Sequence, residues 1–298
     1  MSGLQTELLA AYWTLAGDVY PGAPTEVSPI PLTDRAAAAS AAGYTGMGLV
    51  HEDLVAVSAA IGYAGIRRIL ADHGIRHVEV EFLNDWDLDP ASPARRVSDR
   101  VRAELLEAAG ELGARNLKVS PHLFADPPPD VPRMRDAFAT LSDEVRPTGA
   151  NVIIEFMPFT DVRSIDTALE IVAGADGSNV GLLVDTWHVF RGGIDLADVA
   201  AIPPRFLKGV ELDDAGPAEG DLFDDTRFRR RLPGEGVFDI PGFLKAVGTA
   251  GFDAPYLGVE IISESFRRQP LQVMARTSFE ATIGQLRLAT TDSLEAAR

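Results

Sequence analysis

Short β-rich runs alternate with longer Ala- and Leu-rich stretches along the whole 298-residue chain, and that alternation limits the folds open to it. Strands are predicted at 11–16, 46–50, 77–83, 116–120, 152–157, 180–185, 206–212 and 256–262, eight in all. Helices are predicted near 33–42, 54–73, 94–113, 131–148, 163–174, 194–200, 240–250 and 269–289. The last is the cleanest: Leu271, Met274, Ser278, Phe279, Thr282 and Leu286 trace one face at the helical period, behind Pro270. Mostly apolar strands joined by helices imply a parallel sheet covered on both faces. Eight such units predict an α/β fold, a single (β/α)8 barrel spanning 1–298. A doubly wound open sheet is the alternative, and no G-x-G-x-x-G turn supports it.

No linker divides the chain. The Pro-rich "ADPPPDVP" (125–132) reads as a loop entering a helix, and the longest irregular piece is 213–239. A loop that long in a compact domain is usually functional or mobile. The chain carries 44 acids against 27 bases, a net charge of −17, which disfavours nucleic acid and anionic membranes as partners. Cysteine is absent, so disulfides, thiolate nucleophiles and Cys-based zinc sites are excluded. "MSGLQTELLAAYWTLAG" lacks the basic region of a signal peptide, and no uninterrupted apolar run reaches the length of a membrane span. The expected location is the cytoplasm.

Strand alternation sends odd and even residues to opposite faces. In "NVIIEFMP" Val152 and Ile154 oppose Glu155; in "GLLVDT" Leu182 and Val184 oppose Asp185. In "GVELDD" Val210 and Leu212 oppose Glu211 and Asp213, and in "LGVEII" Val259 and Ile261 oppose Glu260. Four successive strands thus place a carboxylate of matching phase at or near their C-terminal ends. With the aliphatic faces on the outer helices, all four acids point into the barrel mouth, where barrel active sites are built. Converging carboxylates in a dry site repel one another, and a divalent cation relieves that. Oxygen-only ligation favours Mn²⁺ or Mg²⁺, with Co²⁺ allowed. His188, in the turn beyond Asp185, then faces substrate.

"VIIEFMPF", "GLLVDTWHVFRGG", "RRLPGEG" and "GVEII", in this order and on these strands, resemble the xylose-isomerase-like TIM barrels. That superfamily holds sugar-phosphate isomerases and epimerases, ketose 3-epimerases, inosose dehydratases and type IV-like AP endonucleases. The resemblance implies Glu155, Asp185 and Glu260 as metal ligands, with Glu155 and Glu260 also the acid/base pair on opposite faces of the substrate. It implies His188 and an arginine just before the P-G-x-G turn, Arg230 or Arg231, as binders of substrate oxygens. Epimerase-like members usually supply a histidine from the seventh strand. Here Glu211 stands in its place and makes the site all-carboxylate, as in the xylose isomerases proper; Asp213 or Asp214 is the ligand instead if that strand is shifted.

Further candidates line the same end. Glu79 and Glu81 share the inward phase of the third strand, and Trp86 follows in a loop, where an aromatic stacks on a sugar face or lids the core. Trp13 and Trp187 are candidate pocket walls. His122 follows the fourth strand and His51 the second, whereas His73 ends a helix and suits its dipole. Phe159 and Asp161 lie beyond Glu155. "RFRRR" (227–231) is a basic cluster suited to a substrate phosphate or carboxylate, or to a subunit contact.

The chemistry such a site supports is proton abstraction next to a carbonyl through an ene-diolate. The reading put first is a metal-dependent isomerase or epimerase of a ketose, sugar phosphate or polyol. The alternative is a lyase of the same superfamily, an inosose-type dehydratase or an enzyme eliminating from a 3-keto-glycoside. A nuclease for abasic DNA needs more histidines and a basic groove than five histidines and this charge provide. Barrels of this type often pair, so a homo-oligomer is expected by analogy.

Overall fold

Eight parallel strands close on one another in the computed structural model, which describes residues 7–124, 128–175 and 177–295, with side chains described to 291. In chain order the strands are β1 (Glu7–Ala10), β2 (Gly46–Val50), β3 (His77–Leu83), β4 (Asn116–Val119), β5 (Asn151–Glu155), β6 (Val180–Asp185), β7 (Leu207–Leu212), β8 (Asp214–Ala215), β9 (Arg230–Arg231) and β10 (Tyr256–Val259). The barrel runs β1 to β7 in sequence and closes through β10 onto β1; β8 and β9 form a separate antiparallel ribbon. The predicted (β/α)8 barrel is therefore the fold.

Alternation sorts the side chains. Val152, Ile154, Leu182, Val184, Val210, Leu212 and Val259 belong to the apolar layer shared with the outer helices. The alternate residues point inward, and they are long and polar beside small: Lys118, Glu155 and Glu211 sit among Gly48, Gly209 and Gly258. Gly258 has a steric reason. A Cβ there would stand 2.5 Å from Glu211 Cγ, so only hydrogen leaves room for that side chain.

The final helix, Leu271–Glu295, packs the predicted face inward, with Met274, Ser278 and Thr282 fully buried. Ser278 Oγ and Tyr44 Oη are 2.8 Å apart, which ties it to the residue entering β2. Helix His51–Asp72 is long and apolar enough to cross a bilayer by length and composition alone. Here Leu54, Ile66 and Leu70 anchor it to the core, and Gly62 interrupts it with φ 67° and ψ 165°.

Two expectations need correction. The first strand lies at Glu7–Ala10, not at 11–16, and Tyr12–Leu15 is a helical turn. The apolar run from Leu8 to Trp13 bridges both, but pairing with β10 ends where Ala10 meets Val259. Thr14 Oγ1 then donates to the Val259 carbonyl at 2.7 Å and the chain coils. The stretch 213–239 is not one irregular loop: it holds β8, β9 and the helix Leu222–Phe228, capped by Asp221. Each piece is too short to impose a period on the sequence. Part of the Pro-rich stretch, 125–127, lies outside the described residues; its helix begins at Val131.

Candidate metal centre at the barrel mouth

β5, β6, β7 and the residue following β10 each deliver one carboxylate to the same point. Glu155, Asp185, Glu211 and Glu260 are all buried, and one oxygen from each lies within 4.8 Å of the others. Past a register shift between Leu182 and Leu183, Glu211 pairs with Asp185 across the β6–β7 ladder, and it is Glu211 rather than Asp213 or Asp214 that joins the cluster. Asp213 instead takes the Thr186 hydroxyl at 2.5 Å, and Asp214 accepts the N–H groups of Gly234, Gly236 and Phe238 to shape the P-G turn.

Two cations are built into the cluster. Arg230 Nη1 stands 3.0 Å from Asp185 Oδ2, 2.5 Å from Asp213 Oδ2 and 3.0 Å from Glu260 Oε2. Lys118, fully buried on β4, places Nζ 2.5 Å from Glu211 Oε1, 3.1 Å from Glu81 Oε2 and 3.3 Å from Glu79 Oε2. Burial alone would discharge that ammonium, but the Glu211, Glu81 and Glu79 carboxylates hold its pKa well above the usual lysine value.

The acids respond to the same dry setting. Burial raises Glu211 and Asp213 well above the carboxylate range, against the opposing pulls of Lys118 on the first and Arg230 on the second. Burial likewise pushes Glu260 up to about 8, with Arg230 opposing and Glu155 adding to the rise. Glu155 Oε1 and Glu211 Oε2 are buried and accept no hydrogen bond. Carboxylate oxygens in that condition are costly unless a proton or a cation meets them. The donor set is four carboxylates with lone pairs to spare, which fits one hard divalent cation.

A cavity of about 490 Å³ opens over the cluster, walled by Trp13, Phe82, Leu123, Met157, Phe159 and Phe223 and reaching Glu155, His188, Arg230 and Glu260. His188 is buried, with Nε2 3.2 Å from Glu155 Oε1 and Nδ1 free of any hydrogen bond. Another cavity, of about 580 Å³, lies beyond Arg230 against Leu232 and Phe266 and touches none of the four carboxylates.

The model of the xylose isomerase-like TIM barrel family matches residues 36–282. This chain belongs to that family. Among curated relatives, the xylose isomerase-like barrel is 26 % identical over 249 residues to the 3-dehydroshikimate dehydratase of Pseudomonas aeruginosa, covering 82 % of this chain and 38 % of the relative. It is 26 % identical over 151 residues to the inosose isomerase of Bacillus licheniformis, covering 50 % of this chain and 53 % of the relative. The chain thus spans well under two thirds of either. A solved structure described as the IOLI protein with a binding zinc atom superposes with a TM-score of 0.79 at 17 % identity, over 94 % of this chain and 97 % of that one. The relatives are enzymes, and the kinds represented are lyase and isomerase.

Within this xylose isomerase-like barrel the remaining candidates separate cleanly. Arg230 stands at the carboxylates, 2 % exposed, while Arg231 is on the surface with Nη1 on the Glu235 carbonyl. Among the described residues the charged contacts of Arg230 are to Asp185 and Glu260 of the cluster and to Asp213 beside it, so it stands as a charge-balancing strut more than a free substrate binder. Glu81 faces the cavity. Trp86 does not: it is 1 % exposed, its indole N–H donates to the Ser120 carbonyl at 2.7 Å, and its ring meets Phe138 edge-on in the core. His122 is also drawn away, with Nε2 2.8 Å from Asp87 Oδ1 and Nδ1 3.2 Å from Asp161 Oδ2, a clamp between the loops after β3, β4 and β5. Trp187 is a core residue whose N–H reaches Asp225, whereas Trp13, His51 and Phe159 do line the cavity.

Sequence reasoning missed Lys118, although the signal was there. In "NLKV" it opposes Leu117 and Val119, the same inward phase as the acids. Thr226 and Phe223 were also missed as cavity residues, because the short helix that carries them leaves no periodicity to read, whereas Arg227 of the basic run 227–231 does line the cavity.

Proposed function

We propose that this chain is a divalent-metal-dependent enzyme that removes the proton next to a carbonyl in a small polyhydroxylated ketone. The observation that carries the reading is the meeting of Glu155, Asp185, Glu211 and Glu260, with a buried oxygen on each of Glu155 and Glu211 that accepts no hydrogen bond. A divalent cation held by these four would supply Lewis acidity, polarising the substrate carbonyl and acidifying the adjacent C–H.

The protein's own groups do the rest. Glu155, whose Oε1 accepts no hydrogen bond, takes the proton, and Glu260 of the same cluster is its acid/base partner. His188, 3.2 Å from Glu155, relays that proton toward a departing or migrating oxygen. Arg230 keeps Asp185, Asp213 and Glu260 from repelling one another out of position. The apolar walls of Trp13, Phe159 and Phe223 exclude water and suit the flat face of a ring.

Of the possible outcomes, we place dehydration of a cyclic β-hydroxy ketone ahead of the isomerisation or epimerisation expected first from the sequence. The similarity to a 3-dehydroshikimate dehydratase, which runs over 82 % of the chain, supports it. Isomerisation or epimerisation of a keto-polyol is the second, supported by the shorter similarity to an inosose isomerase.

The test begins with bound metal, measured by mass spectrometry after chelation and Mn²⁺ reloading in wild type and Asp185→Asn. About one ion per chain, lost in the variant, is expected; no ion in wild type would sink the proposal. Cyclic hydroxy ketones are then incubated in deuterium oxide. Loss of the mass of water from a substrate favours the lyase, and deuterium uptake without loss of water favours the isomerase.

A further inference from the structure

An all-carboxylate site of this kind invites two metal ions. Two-metal centres place their ions about 3.5–4 Å apart and share a bridging carboxylate between them. Glu211 has the disposition of such a bridge. It stands in the cluster with Glu155, Asp185 and Glu260, its buried Oε2 has no hydrogen-bond partner, and its Oε1 takes Lys118 Nζ. Around Lys118 Nζ stand three carboxylates at 2.5, 3.1 and 3.3 Å, from Glu211, Glu81 and Glu79, with no exposed surface on the lysine. That is the donor set of a second cation pocket. Glu81 Oε1, on a residue only 3 % exposed, has no hydrogen-bond partner at all.

We infer that the Lys118 ammonium occupies the place of a second metal ion, and that it fixes this centre at one divalent cation per chain. The inference rests on the metal reading given above. It also accounts for Glu211 standing where a neutral ligand would leave less charge: the lysine supplies the compensating positive charge from within the fold. Tyr256 Oη and Asn116 Nδ2 both donate to Glu79 Oε1, at 2.7 and 2.6 Å, so the floor of the pocket is held in place and only Glu81 and Glu211 keep free oxygens.

The experiment is a metal count by mass spectrometry, with Mn²⁺ titration followed by electron paramagnetic resonance, on wild type, Lys118→Ala and Lys118→Arg. Wild type and K118R are expected to hold about one ion. K118A is expected to hold about two, with the exchange-coupled spectrum of neighbouring Mn²⁺ ions. Two tightly held ions in wild type, with Lys118 in place, would overturn the inference, and so would one ion in folded K118A. No ion in wild type would instead remove the metal reading beneath it. Should K118A fail to fold by circular dichroism, Lys118→Ser is counted in its place, and one ion in folded K118S likewise overturns the inference.

Discussion

Asp185 caps the helix that carries His188: its Oδ1 accepts the His188 backbone N–H at 3.1 Å while its Oδ2 faces Arg230 at 3.0 Å. One carboxylate therefore belongs to the acidic cluster and also sets the start of Thr186–Arg191. Asparagine caps a helix about as well as aspartate, and alanine costs about 1 kcal/mol. Asp185→Asn is expected to lose the metal with little change in stability, whereas Asp185→Ala loses the metal and about 1 kcal/mol besides. Urea unfolding of both variants alongside metal analysis separates the two roles.

Arg230 and Arg231 are neighbours in sequence with opposite fates. Arg230→Met strands Asp185, Asp213 and Glu260 in the interior without their counter-charge and is expected to cost about 3–5 kcal/mol. Arg231→Ala, on the surface, is expected to stay within about 0.5 kcal/mol of wild type. Equal urea midpoints for the two variants would contradict the placement.

Glu155→Gln keeps the shape of the side chain and removes the base. A kcat lower by about 10²–10⁴ is expected, with an unchanged circular dichroism spectrum. A loss smaller than tenfold on the best substrate found would move the base to another residue.

Gly258→Ala pushes a methyl to 2.5 Å from Glu211 Cγ. Overpacking of that kind costs about 1–3 kcal/mol, and here the side chain displaced is a candidate ligand. Weaker Mn²⁺ binding together with a lower melting temperature is expected; unaltered affinity would show that Glu211 is not needed by the metal.

His122 makes stability depend on pH. The Asp161 and Asp87 carboxylates raise its pKa from 6.5 to about 10, with burial opposing. A raised folded pKa means that the contribution is fully present below about 6.5 and is lost as pH rises toward about 10. The urea midpoint of wild type is expected to fall across that window, and His122→Gln is expected to flatten the fall. Parallel curves for the two proteins would remove the clamp assigned to His122.

What the sequence carried by itself was periodic. The alternation of eight strands with helices specified the barrel, and the phase of Glu155, Asp185, Glu211 and Glu260 against their aliphatic neighbours specified which way each acid points. Periodicity is a local property, dictated by backbone geometry within a few residues, so it is written where it acts. The tertiary structure decided what lies opposite what. It paired Lys118 with Glu211 across 93 positions of sequence, chose Arg230 over Arg231 for the cluster, and sent Trp86 to the core and Trp13 to the cavity. It also ended β1 at Ala10, where its partner strand stops, although the apolar run continues. Burial and charge pairing depend on register between distant strands, and no window of neighbouring residues contains that information.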